Sequence, residues 1–377
     1  MDIKDFKSGT HRHNLEYKSF SPNKISHEWI ISDPEITSLL SRANRTIGEL
    51  NAYSQIIPNV DFFIEMHILK EATTSSRIEG TKTNMEEALI PQEDLDPEKR
   101  DDWGEVKNYV EAINYSIAQL DTIPISNRLL KNTHKVLLSG VRGKHKLPGE
   151  YRKSQNWIGS SLKNAIYIPP HKSEVQDLMY DLEMFIHDDT MRVPHLIKIA
   201  LLHYQFETIH PFLDGNGRLG RLLITLYLVS KGILVKPALY LSNFFEKNKS
   251  HYYDYLTRVR TMSDMKSWLR FFLIGAIETS ENSIQVFKDI IKLKNHYDTQ
   301  LLPKLGVKSV NAQKVLNEMY KWPVINSNKV SEILDVTPAT ANRLIRKLSD
   351  MKMLEELTGY KRNRRFILRE YFNIFHE

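Results

Sequence analysis

The chain has 377 residues, of which 41% are hydrophobic and 26% charged, as in an ordinary globular protein. It contains no cysteine, which excludes disulfides and thiolate metal sites and fits a reducing cytoplasm. No apolar run reaches the ~18 residues of a membrane span, and the first residues lack the apolar stretch of a secretory signal, so no membrane contact is expected. The whole net charge of +6 belongs to residues 301–377, which hold 14 Lys and Arg against 8 Asp and Glu.

The predicted elements make a mainly helical chain of two or three domains. The first thirty or so residues are polar and are expected to form an irregular arm. The spacing of apolar residues predicts helices over 33–50, 61–79, 104–120, 126–139, 174–187, 193–209, 218–231, 249–261 and 265–293. Asp33 and Asp61 are predicted N-caps, and Pro34 suits the first helical position. The β-prone runs 157–159 and 165–168 predict a small hairpin.

The last part of the chain has a different pattern. Residues 311–319, 327–334 and 338–353 are predicted helices, and 355–368 reads as a β-ribbon. This is the order of a winged helix-turn-helix domain, with Thr337 as a predicted cap. The side chains predicted to face DNA are Thr340, Asn342, Arg343 and Arg346 on the helix, and Arg362 and Arg364 on the wing. A protein-binding module or an ordinary basic surface would show the same pattern.

The segment 210–221 concentrates the residue types of a phosphate site. His210 ends an apolar helix, and the run Asp214-Gly215-Asn216-Gly217 tolerates left-handed backbone angles. Such a loop can turn its N–H groups toward an anion, and the helix that follows adds further donors. Arg218 and Arg221 share one face of that helix's first turn, where two cations are unfavourable unless an anion is present.

Two further groups add chemistry to this loop. Asp214 offers a hard oxygen ligand of the kind that Mg²⁺ prefers beside phosphates. His210 can act as a general base, although the C-terminal end of the preceding helix favours its protonated form. A plain helix–loop–helix turn with a core histidine would need none of these roles, but it would not explain their combination.

The segment HPFLDGNGRLGR (210–221) resembles the signature H-P-F-x-[D/E]-G-N-G-R-x-x-R of the Fic (filamentation induced by cAMP) family, and it matches every fixed position. The resemblance implies a mostly helical core and transfer of AMP from ATP to Ser, Thr or Tyr hydroxyls of a protein. His210 would deprotonate the hydroxyl, and Asp214 would hold Mg²⁺. The residues implied to hold ATP are Gly215, Asn216, Gly217, Arg218, Leu219, Gly220 and Arg221. Asn216 would line the anion hole, Arg218 would face the β-phosphate and Arg221 the γ-phosphate.

Three further features fit this resemblance. At the position of Gly217, the residue of the Doc branch of this superfamily resembles a lysine, and the reaction of that branch is phosphorylation. The glycine in this chain therefore favours adenylylation. The predicted hairpin matches the family's flap for the target peptide, with Ile166, Tyr167 and Ile168 as the contact run, although it could be a structural hairpin. The adenine contact is expected from Tyr252 or Tyr253, either of which could instead be a core aromatic residue.

The run SSRIEG (75–80) resembles the family's inhibitory motif [S/T]-x-x-x-E-[G/N], placed before the catalytic core. Ser75, Glu79 and Gly80 are its fixed positions. Glu79 falls in the last turn of a predicted helix, where the dipole disfavours a negative charge by about 0.3–1 kcal/mol, so it gains from a cationic partner. The resemblance names Arg221 as that partner, and the pairing would block the grip on the γ-phosphate. A solvated glutamate at a helix end is the alternative.

These patterns predict an N-terminal helical region with an inhibitory helix (1–103), a Fic-type helical core with a β-hairpin flap (104–300) and a winged-helix domain (301–377). The expected function is an autoinhibited protein adenylyltransferase that uses ATP and Mg²⁺, modifies itself and an unidentified protein, and forms a homodimer. One alternative is another phosphoryl or nucleotidyl transfer, or removal of AMP in one regulatory state. Another is a DNA-binding regulator whose core only senses nucleotide.

Overall fold

The computed structural model describes residues 1–14, 16–57, 59–140, 142–359 and 363–376. The N-terminal region contains β1 (Gly9–His13), β2 (Lys18–Pro22), α1 (Pro34–Ile56), α2 (Asp61–Ile78) and α3 (Met85–Leu89). The expectation of an irregular arm is wrong, because β1 and β2 form an antiparallel hairpin from Gly9↔Pro22 to His13↔Lys18. Asp33 caps α1 as predicted, accepting from the N–H groups of Glu35 and Ile36. Asp61, by contrast, is the first helical residue of α2 rather than its cap.

The middle part of the chain is helical apart from one small hairpin. It contains α4 (Arg100–Gln119), α5 (Asn127–Leu137), β3 (Ile158–Gly159), β4 (Ala165–Tyr167), α6 (Val175–His187), α7 (His195–Ile209), α8 (Asn216–Ser230), α9 (Ser242–Lys247), α10 (Lys249–Met262) and α11 (Met265–His296). The predicted helices and the hairpin are present within a few residues of their expected bounds, whereas α3 and α9 were not predicted.

Helix α7 is the centre of the core. Residues 196–209 are all buried, so the helix has no solvent face and its polar side chains need internal partners. His203 meets this need, with Nδ1 2.9 Å from the carbonyl oxygen of Gly220 and Nε2 2.8 Å from the hydroxyl of Tyr252. Helix α8 packs against α7, and the signature segment spans the loop between them and the first turns of α8.

The last part contains α12 (Ser309–Lys321), β5 (Val324–Asn326), α13 (Ser327–Leu334), α14 (Pro338–Asp350), β6 (Glu355–Glu356), β7 (Arg365–Ile367) and α15 (Arg369–His376). The three strands form an antiparallel sheet in the order β5-β7-β6. Thr337 caps α14 by accepting from the N–H of Thr340. The elements follow the predicted helix, helix, helix and ribbon order, with β5 and α15 added. The winged-helix assignment stays a prediction, and residues 360–362 of the wing lie outside the described residues.

This C-terminal unit packs on the N-terminal region. Helix α12 contacts α2, and α15 contacts both α2 and α11. The indole N–H of Trp322 donates to the carbonyl oxygen of Leu89 at 3.1 Å. Arg369 forms an ion pair with Glu86 at 2.7 Å. No helix among the described residues is long and apolar enough to cross a membrane.

Candidate active site

The signature loop lies between two left-handed residues. His210 ends α7 at φ 49° and ψ 60°, and Gly215 begins α8 at φ 75°. The conformation at His210 is held because its carbonyl oxygen accepts from Nε of Arg152 at 3.0 Å and from the amide of Asn156 at 3.3 Å. No side chain caps the first turn of α8, so its N–H groups remain available to an anion.

Asn216 closes the loop from inside. Its Oδ1 accepts from the N–H of Phe212 at 2.8 Å, and its Nδ2 donates to the carbonyl oxygen of Phe212 at 2.9 Å. The side chain is buried and both of its polar atoms have partners. The Asn216 side chain therefore braces the loop, and the role of Asn216 in the anion hole stays a prediction.

A residue that the sequence analysis missed supports the loop from below. The ring of His134 on α5 stacks on Phe212 with centroids 3.8 Å apart. Its Nδ1 accepts from the N–H of Gly149 at 2.9 Å, so Nε2 donates to the carbonyl oxygen of Asp214, also at 2.9 Å. Burial lowers the pKa of His134 to about 4, which keeps this tautomer neutral. Nothing in the local sequence of α5 marks this histidine.

Arg221 is held by the helix that ends at Glu79. Its Nε donates to the hydroxyl of Ser75 at 2.8 Å, and its Nη2 donates to the carbonyl oxygen of Ser75 at 2.9 Å and to Oε1 of Glu79 at 2.7 Å. Burial alone would raise the pKa of Glu79, but Arg221 and Arg218 hold it below its usual value. The glutamate is therefore charged near neutral pH.

Glu79 occupies the space directly above the signature loop. A Cβ atom placed on Gly217 would overlap Oε1 of Glu79 and come within 2.9 Å of Nη1 of Arg221. That buried Nη1 atom has no hydrogen-bond partner among the residues described. A carboxylate thus lies beside the exposed N–H groups of α8 and one open guanidinium donor, as expected of a group that occupies an anion site.

Arg218 and Asp214 lie on the other side of the loop. Nη1 of Arg218 is 3.4 Å from Glu105, and its Nη2 is 3.6 Å from Oδ1 of Asp214. The carboxylate of Asp214 is 44% exposed, so it is open to an incoming cation. Among the described residues no group of three or more candidate ligands could hold a metal by itself.

His210 has the protonation state that a base requires. Burial, aided by Arg260 and Arg152 and opposed by Glu79, lowers its pKa to about 4. The imidazole is therefore neutral at pH 7 despite the helix end that precedes it. The surroundings of His210 therefore outweigh the helix dipole, which by itself would favour the protonated imidazole.

Comparison with known proteins agrees with this geometry. The Fic/DOC family N-terminal profile matches residues 37–118, and the Fic/DOC family profile matches residues 124–228. Residues 37–118 and 124–228 thus match the two domains of the Fic/DOC family. Protein adenylyltransferase Fic of Aedes aegypti is 34% identical over 125 residues, which is 33% of this chain and 22% of that protein. The Drosophila melanogaster protein of the same name is 30% identical over 162 residues, 42% of this chain and 29% of that one. The match thus spans less than a third of these relatives.

Solved structures agree on the fold. A Fic family protein from Desulfovibrio desulfuricans G20 has a TM-score of 0.58 at 20% identity, covering 91% of this chain and 98% of that one. A Fic-1 fragment from C. elegans has a TM-score of 0.55 at 20% identity, covering 69% of this chain and 75% of that one.

The flap of this Fic domain is anchored at its base and open at its edge. Ile166 is 79% exposed, whereas the hydroxyl of Tyr167 donates to the carbonyl oxygen of Thr208 at 2.6 Å. The guanidinium of Arg260 lies 3.9 Å from the centroid of the Tyr167 ring. The carbonyl oxygen of Ile168, just after β4, accepts from the N–H of Phe20 at 2.9 Å, so the N-terminal hairpin joins the flap. Ile166 is thus the member of the predicted run that faces outward.

The two candidate adenine contacts differ in position. Tyr252 is 1% exposed, and its ring stacks on Phe245 with centroids 4.4 Å apart. Tyr252 is therefore packed in the core of this structure, and its contact with adenine stays a prediction. Tyr253 is 41% exposed, and burial together with Glu79 raises the pKa of its hydroxyl, so it lies on the site's side of α10 and stays a predicted contact.

The remaining signature positions serve packing. Leu219 is fully buried, and a Cβ on Gly220 would overlap the carboxylate of Glu207. Glu207 was not foreseen as part of the site. Burial raises its pKa to about 7, and its Oε1 has no hydrogen-bond partner among the residues that the structure describes. Gly80, the last fixed position of the inhibitory run, has φ 102°, which suits glycine after a helix.

Proposed function

We propose that this chain is a protein adenylyltransferase that moves AMP from ATP to a Ser, Thr or Tyr hydroxyl of a protein, itself included, and that Glu79 restrains it. The observation that carries the proposal is the contact of Glu79 with Arg221 at 2.7 Å directly over Gly217. An inhibitory carboxylate needs an anion site to occupy, and this one lies among the donors that a nucleotide phosphate would use.

The chemistry assigns one role to each group. Neutral His210 takes the proton of the target hydroxyl, and the oxygen attacks the α-phosphorus of ATP. The bond from that phosphorus to the bridging oxygen breaks, so AMP joins the protein and pyrophosphate leaves. The N–H groups after Gly215 stabilise the developing negative charge. Tyr167 and Ile168 hold the flap, along which an extended target strand adds its backbone hydrogen bonds.

Mg²⁺ fits the residues present. Asp214 is the carboxylate that would hold it, together with phosphate oxygens, and the ion would supply charge neutralisation of the phosphates. Arg218 lies beside Asp214, where its orientation suits the β-phosphate side.

Under this proposal the same contact keeps transfer of AMP slow in the resting state. While Nη2 of Arg221 is bound to Glu79, the γ-phosphate lacks its main cation, and ATP does not reach the reactive position. Gly217 argues against phosphoryl transfer, since a lysine side chain at this position would have to share its space with Glu79. Removal of AMP in another regulatory state remains compatible with the same groups.

Three expectations about partners and location stay predictions from the sequence. They are contact with DNA through the C-terminal unit, a homodimer and a cytoplasmic location. DNA contact is supported by the exposure of Asn342, Arg343 and Arg346 on α14, which is the open face of that helix. Arg364 is engaged by Glu356, Thr340 is half-buried, and Arg362 lies outside the described residues.

The deciding experiment is label transfer by Glu79→Gly protein with Mg²⁺ and ATP labelled at the α- or the γ-phosphate. We expect protein-bound label from α-labelled ATP alone, at about 10–100 times the wild-type rate, because a charged hydrogen bond to Arg221 is lost. Glu79→Gly/His210→Ala protein is the control and should lose the label. Label from γ-labelled ATP alone would mean a kinase. No label from either, on the protein or on a lysate, would favour the nucleotide-sensing regulator.

A further inference from the structure

A cavity lies beside α2, one to three turns before Glu79. Its volume is about 110 Å³, and it is enclosed by α2, α9, α11, α15 and the segment before α9. Space of this size holds several water molecules or a small ligand. The cavity is lined on α2 by His67, Lys70, Glu71 and Thr74. It is therefore separate from the signature loop but shares the helix that carries the brake.

The interior of this α2 cavity contains polar atoms without partners. Oε2 of Glu71, Nε2 of His67 and the hydroxyl of Tyr240 are buried and make no hydrogen bond among the described residues. Their residues are 3%, 6% and 8% exposed. Leaving a buried polar atom unpaired costs about 1–3 kcal/mol in typical proteins, so three in one cavity indicate that something polar pairs with them.

The mouth of the cavity carries two cations. Lys70 on α2 and Lys247 on α9 both line it, and burial together with Lys247 lowers the pKa of Lys70. Among the residues described, neither ammonium has a carboxylate within 4.0 Å, although Glu278 also lines the cavity and is exposed. Two neighbouring ammonium groups with no described carboxylate within ion-pair distance favour a doubly charged anion such as a phosphate ester.

Glu71 connects this cavity to the signature helix. Its Oε1 lies 3.0 Å from the hydroxyl of Tyr109, which is also 3.1 Å from the carbonyl oxygen of Arg218. The hydroxyl of Ser242 donates to the same Oε1 at 2.5 Å, so this oxygen is satisfied and Oε2 is left without a donor among the described residues. Burial raises the pKa of Glu71 to about 7. Oε2 is then an acceptor that faces a ligand hydroxyl.

We propose that the α2 cavity is a regulatory site for a small phosphorylated metabolite with hydroxyl groups, its phosphate between Lys70 and Lys247 and its hydroxyls on Glu71 and His67. Such a ligand joins α2 to α9 in the arrangement that places Glu79 on Arg221. Because it binds the braked arrangement best, it strengthens the brake. The strengthening of the brake rests on the proposed adenylyltransferase activity, whereas the binding of the ligand does not.

The binding test uses glycerol 3-phosphate and inorganic phosphate as probes in calorimetry with the full chain. We expect glycerol 3-phosphate to bind the wild type more tightly than phosphate does. Lys70→Gln and Lys247→Gln should each weaken glycerol 3-phosphate binding about tenfold, since each removes one charged hydrogen bond. Lys172→Gln, at an exposed lysine outside the cavity, is the matched control and should leave binding unchanged. Thermal unfolding of each variant verifies that it is folded.

Two results would overturn the proposal. One is the lack of binding of either probe at millimolar concentration. The other is binding that survives Lys70→Gln and disappears when ATP is added, which would place the phosphate in the signature loop. A final experiment measures the rate of AMP transfer with and without glycerol 3-phosphate. The ligand should lower this rate in the wild type but not in Lys70→Gln. Intact binding with no detectable transfer at all would count against the proposed function and leave the site standing.

Discussion

At the residue scale, Gly217 and Glu79 depend on each other. The loop needs small residues because the backbone must approach a phosphate, and this would be true in any protein of the family. In this chain the missing side chain has a second use, since any Cβ at Gly217 would occupy the position of Oε1 of Glu79. The residue that permits phosphate binding is therefore also the residue that permits the brake.

Ser75 is expected to contribute to the brake in its own right. Its hydroxyl accepts from Nε of Arg221 at 2.8 Å and so fixes the guanidinium plane that faces Glu79. Replacing Ser75 with alanine removes this acceptor but leaves Glu79, so AMP transfer measured with α-labelled ATP should rise several-fold, to a rate between those of the wild type and Glu79→Gly.

The next residue supplies the control for this substitution. Ser76 is also fully buried on α2, but its hydroxyl has no partner among the described residues. Ser76→Ala should leave the rate of AMP transfer unchanged. Equal rates in Ser75→Ala and the wild type would mean that Glu79 alone holds Arg221.

The site residues that the sequence revealed are those with local geometry. His210, Asp214, Gly217, Arg218 and Arg221 belong to one loop and one helical turn, so their spacing predicts their proximity. His134, Glu71 and Glu207 could not be found in this way. His134 and Glu207 reach the signature segment from α5 and α7, whereas Glu71 on α2 is connected to it only through Tyr109. Each looks like an ordinary residue of an amphipathic or buried helix. The side-chain partners of Asn216 and Tyr252 were likewise invisible in the sequence.

At the element scale, the helices were predictable and the short strands were less so. Apolar spacing and the cap at Asp33 determine α1, and the same logic holds for the other long helices. Most of β1 is exposed, so it has no alternating pattern to detect, and its pairing with β2 went unpredicted. The hairpin of β1 and β2 helps to position the flap, because the N–H of Phe20 in β2 donates to the flap.

Helix α14 offers the test of the DNA prediction. Arg343 and Arg346 are exposed on it, and Lys347 and Arg343 lower the pKa of neighbouring Lys308, which shows that cations crowd this surface. If α14 contacts a duplex, Arg343→Ala/Arg346→Ala protein should bind it less tightly, with a salt dependence that is shallower by about one unit per lost phosphate contact. Fluorescence anisotropy at several salt concentrations measures both.

A matched pair of arginines excludes a general charge effect. Arg45 and Arg128 are exposed on α1 and α5, outside the C-terminal unit. Arg45→Ala/Arg128→Ala protein should keep both the affinity and the salt dependence of the wild type. If the two double variants behave alike, or if the wild type does not bind duplex DNA at low salt, α14 is not a DNA contact.

At the scale of the whole molecule, α2 connects the parts. It packs on α4, α8 and α9 of the catalytic core and on α12 and α15 of the C-terminal unit. The tail's contacts at Trp322 and Arg369 therefore bear on the region that positions Glu79. The sequence predicted three successive domains, but it could not show that the first and the last pack together, because no local pattern encodes that contact.

Buried titratable groups across the molecule predict how its stability changes with pH. Burial lowers the pKa of His67 and His203 to about 3, and that of His134 and His210 to about 4. In the unfolded chain they take up protons near pH 6.5, so below that pH the unfolded state binds more protons and the stability they confer is lost.

Two buried carboxylates act in the opposite direction. Burial raises the pKa of Glu71 and Glu207 to about 7, so the folded state keeps protons that the unfolded state has released above pH ~4.5. This contribution grows as the pH falls from 7 and partly offsets the loss at the histidines. Because the lowered histidines outnumber the raised carboxylates, the net effect between pH 6.5 and 5.5 is a loss of about 1–2 kcal/mol in the free energy of unfolding.

Urea unfolding at a series of pH values measures how the free energy of unfolding changes with pH. One substitution isolates the contribution of a single histidine. The ring of His67 packs between Phe287 and Phe375, with centroids 5.1 and 5.2 Å away, so His67→Phe keeps an aromatic ring and removes the titrating group. The pH dependence should become shallower in this variant and stay the same in His251→Phe, at an exposed position. A free energy of unfolding that stays level or rises as the pH falls from 6.5 to 5.5 would contradict the argument. It would mean that the buried histidines gain protons without unfolding, and His210 would then lose its neutral form at mildly acidic pH.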